Sequence, residues 1–459
     1  MEEDHKKKGS GFQTMGLNRN TLVGILRYGY RVPTPIQRKA IPSALQGNDL
    51  IAMARTGSGK TAAYLVPIIN KLVAHSTEGP RALIILPTRE LAIQTIRFFN
   101  ALAKQTDLQA SLVIGGAKLN EQFAALTSGP DVIIATPGRF VFVVEGAKVS
   151  LKTVQTLCLD EADVMFEGGF SEQISDLMKL LPPAPQIMLF SATLPQSLSY
   201  FLRNSLKAPE VIRLDAEDRL SPDLENVFIA VNDGEKEAHL LYLLKEKLPA
   251  RAQAIVFCAT RHHVEYLKEL LKQFHIKTSA IYGKADQVER EGNMRRFRQK
   301  RTSVLLVTDI AARGVDIPQL DVVIKYDFPM TAKLYVHRCG RTARAGRLGT
   351  AYSLVQSDEV GYIIDLEVYG IDPNFKFGKL PRRLIDKYVA AVDDRVSQEY
   401  DLQFMKRGVS NGLEMYRKSK TPPSQHGAEQ GKHVDFEALH PDFVEADELQ
   451  TSELLKGLK

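Results

Sequence analysis

The reading of the fold turns on residues 49–73, "DLIAMARTGSGKTAAYLVPIINKLV". A short apolar run gives way to a loop of small residues, and the loop gives way to a helix-like stretch, which is the strand, loop, helix order a phosphate-binding loop needs. Gly57 and Gly59 let the backbone curl so that its N–H groups converge on an anion, with Thr56 and Ser58 completing the loop. Lys60 supplies a point charge for terminal phosphates and Thr61 a hydroxyl suited to magnesium. The general pattern has glycine where this chain has Ala54, which leaves the Gly-Lys-Thr core intact.

Working outward, apolar runs of the same kind recur between helix-like spacers: "ALIILP", "SLVIGG", "DVIIATP", "LCLDEAD" and "QIMLFSAT", then "AIVFCAT", "VLLVTDI" and "VVIKYDFP". Strands this apolar on both faces belong to parallel sheets covered by helices, so the expected fold is doubly wound α/β. Two such series flank the polar interval "RLDAEDRLSPDLEN", and 459 residues exceed one ordinary core. The expected organisation is a tail over 1–11, a first domain over 12–215, a linker over 216–222, a second domain over 223–360 and an extension over 361–459.

The strand pattern stops after "GTAYSLV". Residues 376–420 then hold 11 Lys/Arg against 6 Asp/Glu and residues 421–459 hold 3 against 8, so a basic segment precedes an acidic, partly flexible one. "SKTPPSQHGAEQGK" reads as a flexible link between them. The net charge of +6 permits polyanion partners without requiring one. Cys158, Cys258 and Cys339 are far apart and odd in number, against a disulfide framework or zinc site and for a reducing compartment. No run approaches the roughly 18 apolar residues of a membrane span, and the charged start "MEEDHKKKGSGF" is no secretory signal.

"TLCLDEAD" ends an apolar strand in acids, at the edge where ligands bind in open α/β sheets. Carboxylates there are costly unless they meet a cation or donors. Asp160 suits magnesium coordination through water, and Glu161 is placed to orient or deprotonate an attacking water.

"DEAD" at 160–163, together with "ARTGSGKT", "PTREL", "TPGR", "SAT" and "HRCGRTAR", resembles the DEAD-box ATP-dependent RNA helicases over about residues 12–357. The resemblance implies two RecA-like domains that bind ATP and magnesium and grip RNA by its backbone, with little sequence specificity. It assigns Gln37 of "RVPTPIQ" to the adenine, with Phe12 stacking nearby, and Asp316 to the ribose. It links Asp163 through Ser191, Thr193 and His337 as a coupling set. RNA contacts fall to Arg89, Gly115, Gly116, Thr136, Gly138 and Arg139 in the first domain, and to Gln287, Arg290 and Thr308 in the second. Backbone N–H groups and small hydroxyls in such loops follow a phosphate chain without reading bases.

The chain departs from the family at Lys284, where aspartate is usual, at Ala343, where glycine is usual, at Cys339, where an aliphatic residue is common, and at Val164, where a polar residue is usual. Ala343 restricts a backbone position that glycine leaves free. Short stretches such as "GFQTMGL", "MYRKSKTPPS" and "HPDF" are similar to nucleolar helicases of large ribosomal subunit assembly. The resemblance therefore implies an RNA-dependent ATPase that unwinds or remodels short duplexes and RNA–protein complexes through ATP-driven domain closure. Pre-ribosomal particles would be its partners, the nucleus and nucleolus its location, and a monomeric core its form. An ATP-dependent RNA clamp that scaffolds ribonucleoprotein assembly would need the same residues.

"HRCGRTARAGR" carries arginine at 338, 341, 344 and 347. A helix turns about 100° per residue, so a three-residue spacing drifts about 60° per step and cannot hold one face over four members. The arginines need not share a role. By resemblance Arg341 and Arg344 reach the terminal phosphate, Arg338 holds the motif in place, and Arg347 is a surface charge.

Overall fold

Strands flanked by helices on both sides must present apolar atoms to both, and alternate residues of these strands go to different cores. Leu50, Ala52, Ile84, Ile134 and Phe190 belong to one buried cluster, whereas Ile51, Leu83, Ile85, Ile133 and Leu189 belong to another. A computed structural model describes residues 11–54, 57–214, 220–221, 223–283, 287–312, 317, 320–343, 348–372 and 374–444. They form two compact units that part near residue 217. The expected linker lies mostly outside the described residues.

The first unit holds β1 (Leu50–Met53), β2 (Ala82–Ile85), β3 (Ala110–Val113), β4 (Val132–Ala135), β5 (Thr156–Asp160), β6 (Gln186–Ser191) and β7 (Glu210–Arg213). They join in the order β3-β4-β2-β5-β6-β1-β7, every pair parallel, with Ile51 opposite Leu189 and Val211. The second unit holds β8 (Leu224–Ala230), β9 (Ala254–Cys258), β10 (Thr278–Ile281), β11 (Val304–Thr308), β12 (Val322–Lys325), β13 (Gly349–Val355) and β14 (Phe377–Lys379). Their order, β10-β11-β9-β12-β13-β8-β14, repeats that of the first sheet strand for strand. The doubly wound α/β architecture expected from the apolar runs is present twice.

Helices start at the carboxyl edge of each sheet on threonine caps. Thr88 accepts from the Leu91 N–H at 3.3 Å, Thr260 from that of His263 at 3.3 Å and Thr331 from that of Leu334 at 3.2 Å. A cap of this kind contributes about 1 kcal/mol and fixes where the helix begins.

Two features beyond residue 355 differ from the sequence expectation. The strand pattern does not end there, because β14 pairs with β8. Its "FGK" is too short and too polar to show a period, and residue 379 continues into a bridge with Leu439 that covers this edge. The supposed flexible link contains a helix, Gln425–Gly431, capped by Ser424 and packed on the helix Val360–Ile364. A Cβ on Gly427 would lie 2.5 Å from both the Gly361 carbonyl and Asp365 Oδ1, so this glycine serves close helix approach. Helices Arg382–Gln398 and Tyr400–Ser419 pack on the second unit, burying Ile385, Val392 and Leu402. Among the described residues no helix is long and apolar enough to cross a membrane, and Cys158, Cys258 and Cys339 are buried and unbridged.

Candidate functional site

With every strand of a sheet parallel, all the loops that follow them emerge on one edge. In the first unit the order of strands sorts those loops into two groups. The loops after β1, β5 and β6 carry the expected nucleotide and coupling residues, and those after β2, β3 and β4 carry the expected RNA residues.

On the nucleotide side, Gly59 caps the helix Lys60–Leu72 in the left-handed region, φ 94°, which glycine adopts without steric cost. A side chain there would also collide with Gln37 Nε2, 2.5 Å from an added Cβ. Lys60 is 7% exposed, and its ammonium donates to the Ala54 carbonyl at 2.5 Å. Gly57 is exposed on the loop, and Thr61 lies half-buried in the first helical turn. The Ser58 hydroxyl is buried without a hydrogen-bond partner. An orphaned donor beside a buried ammonium suits phosphate oxygens.

Asp160 ends β5 and is 3% exposed. Its carboxylate accepts from Tyr64 Oη at 3.0 Å and from the Glu161 N–H at 2.8 Å. Burial pushes its pKa up, and the charge of Lys60 only partly offsets that. A carboxylate in this condition is stabilised by a cation. Among the described residues no cluster of three His, Cys, Asp or Glu side chains could hold a metal. Magnesium does not require one, since it keeps several waters and takes one or two carboxylates beside substrate phosphates. Asp160 and the Thr61 hydroxyl fit that use. Glu161 itself sits at φ 49°, ψ 47°, a left-handed conformation that costs a non-glycine residue about 1–2 kcal/mol.

Asp163 and Ser191 are brought together: the Asp163 N–H donates to Ser191 Oγ at 3.2 Å, and Ser191 Oγ donates to the Thr193 carbonyl at 2.6 Å. The Thr193 hydroxyl is buried without a hydrogen-bond partner. Gln37 is 2% exposed. It accepts from the Thr34 N–H at 2.9 Å and donates to the Gly59 carbonyl at 3.1 Å. It thus ties the phosphate loop to the preceding helix and keeps one N–H and one lone pair for a base. Phe12, expected to stack on adenine, has 0% exposure and lies in the core cluster with Ile25 and Ile36.

On the other side of the sheet edge, Arg89 begins the helix Arg89–Leu102 and its guanidinium lies against the Gly115–Gly116 turn. A Cβ on Gly116 would sit 2.1 Å from Arg89 Nη1, so a side chain at 116 would displace the arginine. Thr136 immediately precedes the helix Pro137–Ala147 without a side-chain cap bond, and a Cβ on Gly138 would meet nothing within 4 Å. Arg139 is half-buried in the first turn. Three loops from adjacent strands thus place Arg89, the glycine pair and the Thr136–Arg139 turn side by side.

In the second unit Gly283 follows β10, Arg290 lies half-buried in the helix Gln287–Arg298, and Thr308 ends β11 with 8% exposure. His337 and Arg338 occupy the helix Ala332–Cys339, and Arg341 follows it. Arg338 is 1% exposed. Its Nε and Nη2 bind Asp309 Oδ1 and Oδ2 at 2.7 and 2.8 Å, and its Nη1 donates to the Asp327 carbonyl at 2.5 Å. A bidentate arginine held this way is a fixed point in the motif. Thr56, Asp316, Arg344, Arg347 and Lys284, and the side chain of Gln287, lie outside the described residues.

Sequence reasoning missed Asp309 and Asp327, although each stands just after an apolar strand as Asp160 does. It also missed the charges around them. Lys236 Nζ lies 3.4 Å from Asp327 Oδ1 and 3.9 Å from Glu359 Oε2, and Lys420 Nζ lies 3.0 Å from Glu359 Oε1. Burial draws the Lys236 pKa down, but Glu359 and then Asp327 outweigh it and the net shift is upward.

Residues 34–201 match the DEAD/DEAH box helicase family, and residues 235–346 match the helicase conserved C-terminal domain. Together they span more than half of the chain, which belongs to the DEAD-box helicases. The chain is 44% identical to the mouse protein named ATP-dependent RNA helicase DDX54, over 99% of this chain and 55% of that one. It is 43% identical to ATP-dependent RNA helicase dbp-10 of Neurospora crassa, over 96% of this chain and 53% of that one. It thus spans little more than half the length of these curated relatives. Among solved structures it is similar to S. cerevisiae Dbp5 bound to RNA and ADP BeF3, with TM-score 0.70 and 27% identity over 84% of this chain and 99% of that one. Mss116p bound to ssRNA and AMP-PNP gives TM-score 0.74 and 26% identity over 91% of this chain and 89% of that one. Each unit is accordingly a RecA-like domain.

Proposed function

We propose that the protein is an RNA-dependent ATPase that unwinds or remodels short RNA duplexes and RNA–protein complexes. The observation that carries this reading is the sorting of one sheet edge in the first unit. A buried lysine, an unpartnered serine hydroxyl and a buried carboxylate stand after β1 and β5, while Arg89 and its glycine turn stand after β2 and β3. Lys60 and Ser58 hold the ATP phosphates, Asp160 and Thr61 hold magnesium, and Glu161 orients the attacking water. The magnesium supplies charge neutralisation at the phosphates. Asp163, Ser191, Thr193 and His337 couple the nucleotide to domain closure, with Arg341 and Arg344 completing the ATP site and Asp316 the ribose contact.

RNA lies along Arg89, Gly115, Gly116, Thr136, Gly138 and Arg139, with Gln287, Arg290 and Thr308 as the second domain's share. These groups meet phosphates and sugars, so binding falls with salt by a log–log slope of about −0.7 per phosphate contact. The similarity of its short motifs to nucleolar helicases supports work on pre-ribosomal RNA and large-subunit assembly, in the nucleus and nucleolus. Glu161→Gln tests the chemistry: RNA affinity in the presence of AMP-PNP is retained, and RNA-stimulated hydrolysis falls by about 10² to 10⁴. Undiminished hydrolysis in that variant refutes the assignment.

A further inference from the structure

The helix Tyr400–Ser419, outside both family matches, is bolted to the second domain along its length. Leu402 is buried, the helix lies on Arg261–Gln273, and Lys406 Nζ lies 3.3 Å from Glu237 Oε1. At its far end Arg417 Nη2 donates to Gln356 Oε1 at 2.8 Å. Lys420 Nζ sits 3.0 Å from Glu359 Oε1 and 4.2 Å from the centre of the Tyr362 ring. Tyr362 Oη donates to the Thr421 carbonyl at 2.7 Å.

These contacts end on the charges that seat Arg338. Glu359 is shared between Lys420 and Lys236, Lys236 between Glu359 and Asp327, and the Asp327 carbonyl receives Arg338. The Tyr416 hydroxyl is buried without a hydrogen bond.

We propose that Lys420 is a positioning residue for the arginine motif, so that the segment ending this C-terminal helix sets the hydrolytic competence of the second domain. Without Lys420, Glu359 keeps only Lys236 as its ammonium partner and draws it from Asp327, and the segment that receives Arg338 shifts. The helix containing His337 and Arg338 moves with it, and Arg341 follows directly after that helix. Displacements well under 1 Å at such groups matter to turnover, because a misplacement of about 1 Å costs up to about 10²-fold. The inference rests on the RNA-dependent ATPase reading.

The test compares wild type, Lys420→Met, Lys420→Arg and Lys420→Met combined with Glu359→Gln. RNA-stimulated ATPase gives kcat and KM, and titration with RNA and AMP-PNP gives RNA affinity and the active fraction. Lys420→Met is expected to lower kcat per active molecule roughly tenfold with KM for ATP and RNA affinity within about twofold. Lys420→Arg and the double variant recover most of the loss, because the first restores the charge and the second removes the stranded carboxylate. Wild-type kcat per active molecule in Lys420→Met overturns the proposal, as does a loss in that variant confined to the active fraction. If wild type itself shows no RNA-stimulated hydrolysis, the ATPase reading has failed and this proposal with it. If wild type turns over and the variants match it, only this proposal has failed.

Discussion

In the first unit, the helix that follows the sheet's first strand begins with Lys60, and in the second unit it begins with Lys236. Asp160 ends β5, and Asp327 stands two residues beyond β12, the strand in the equivalent place. All four side chains are buried. In the first unit the lysine donates to a backbone carbonyl, a neighbouring serine hydroxyl lacks a partner, and burial leaves the carboxylate's pKa raised. In the second unit the lysine meets Asp327 at 3.4 Å, Glu359 and Lys420 complete a chain of alternating charge, and Asp327 is held below its usual range despite burial, by His263 and Lys236. Two copies of one topology therefore hold the same pair of charges in different states. One edge leaves its lysine and carboxylate in need of a ligand, and the other pairs the same two charges internally.

The sharpest way to break this comparison is to remove each lysine. Lys60→Met deletes a charge whose proposed partner is a phosphate, so ATP affinity should fall by at least about 10²-fold while the melting temperature changes little. Lys236→Met takes the ammonium partner from buried Asp327 and leaves Glu359 with Lys420 alone, and should cost about 3–5 kcal/mol of second-domain stability. Denaturant unfolding and ATP binding on both variants check the contrast. Equal stability loss in the two would mean that the first edge is as internally neutralised as the second.

The legibility of the two edges differed for the same reason. "GSGKT" and "DEAD" are contiguous, and apolar strands on either side announce their context, so Lys60, Asp160 and Glu161 could be placed from sequence. The closed network joins residues 236, 327, 359 and 420, which no local pattern connects, and Lys236 in "DGEKEAH" reads as an ordinary surface lysine. Glycines misled where they serve packing, as at Gly427, whose missing side chain lets two helices approach closely. The strand order was not legible either, because period and length identify strands without saying which neighbours they choose.

A smaller effect separates the edges by pH. His440 is fully buried at the strip covering β14, its Nδ1 accepts from the Asp442 N–H at 3.2 Å, and burial lowers its pKa to about 4. The unfolded chain binds this proton near pH 6.5, so the neutral ring's contribution is complete above that value. It is lost as pH falls toward 4, by about 2 kcal/mol at pH 5. The second domain should show this loss in melts at pH 7 and pH 5, and His440→Phe should flatten it. In the first domain, Gly116→Ala forces a side chain onto Arg89 at a φ of 81°. It should weaken RNA binding roughly tenfold, the loss of one charge-assisted contact, and leave ATP affinity unchanged.

The smallest effect concerns Ala343, which lies in the arginine motif at φ 51° and is 7% exposed. That conformation costs alanine about 1–2 kcal/mol and glycine almost nothing. Ala343→Gly removes the strain but frees the unfolded chain, which returns about 0.4–1 kcal/mol, so the net gain in second-domain stability should be roughly 0.5 kcal/mol. Glu161, at φ 49° beside the proposed water, is the matching strained residue of the first edge. Glu161→Gly should gain a similar amount of stability while losing hydrolysis, whereas Ala343→Gly should gain it with hydrolysis kept. A stability loss in Ala343→Gly would place the strain elsewhere in the motif. Retained hydrolysis in Glu161→Gly would refute the water-orienting role of this carboxylate.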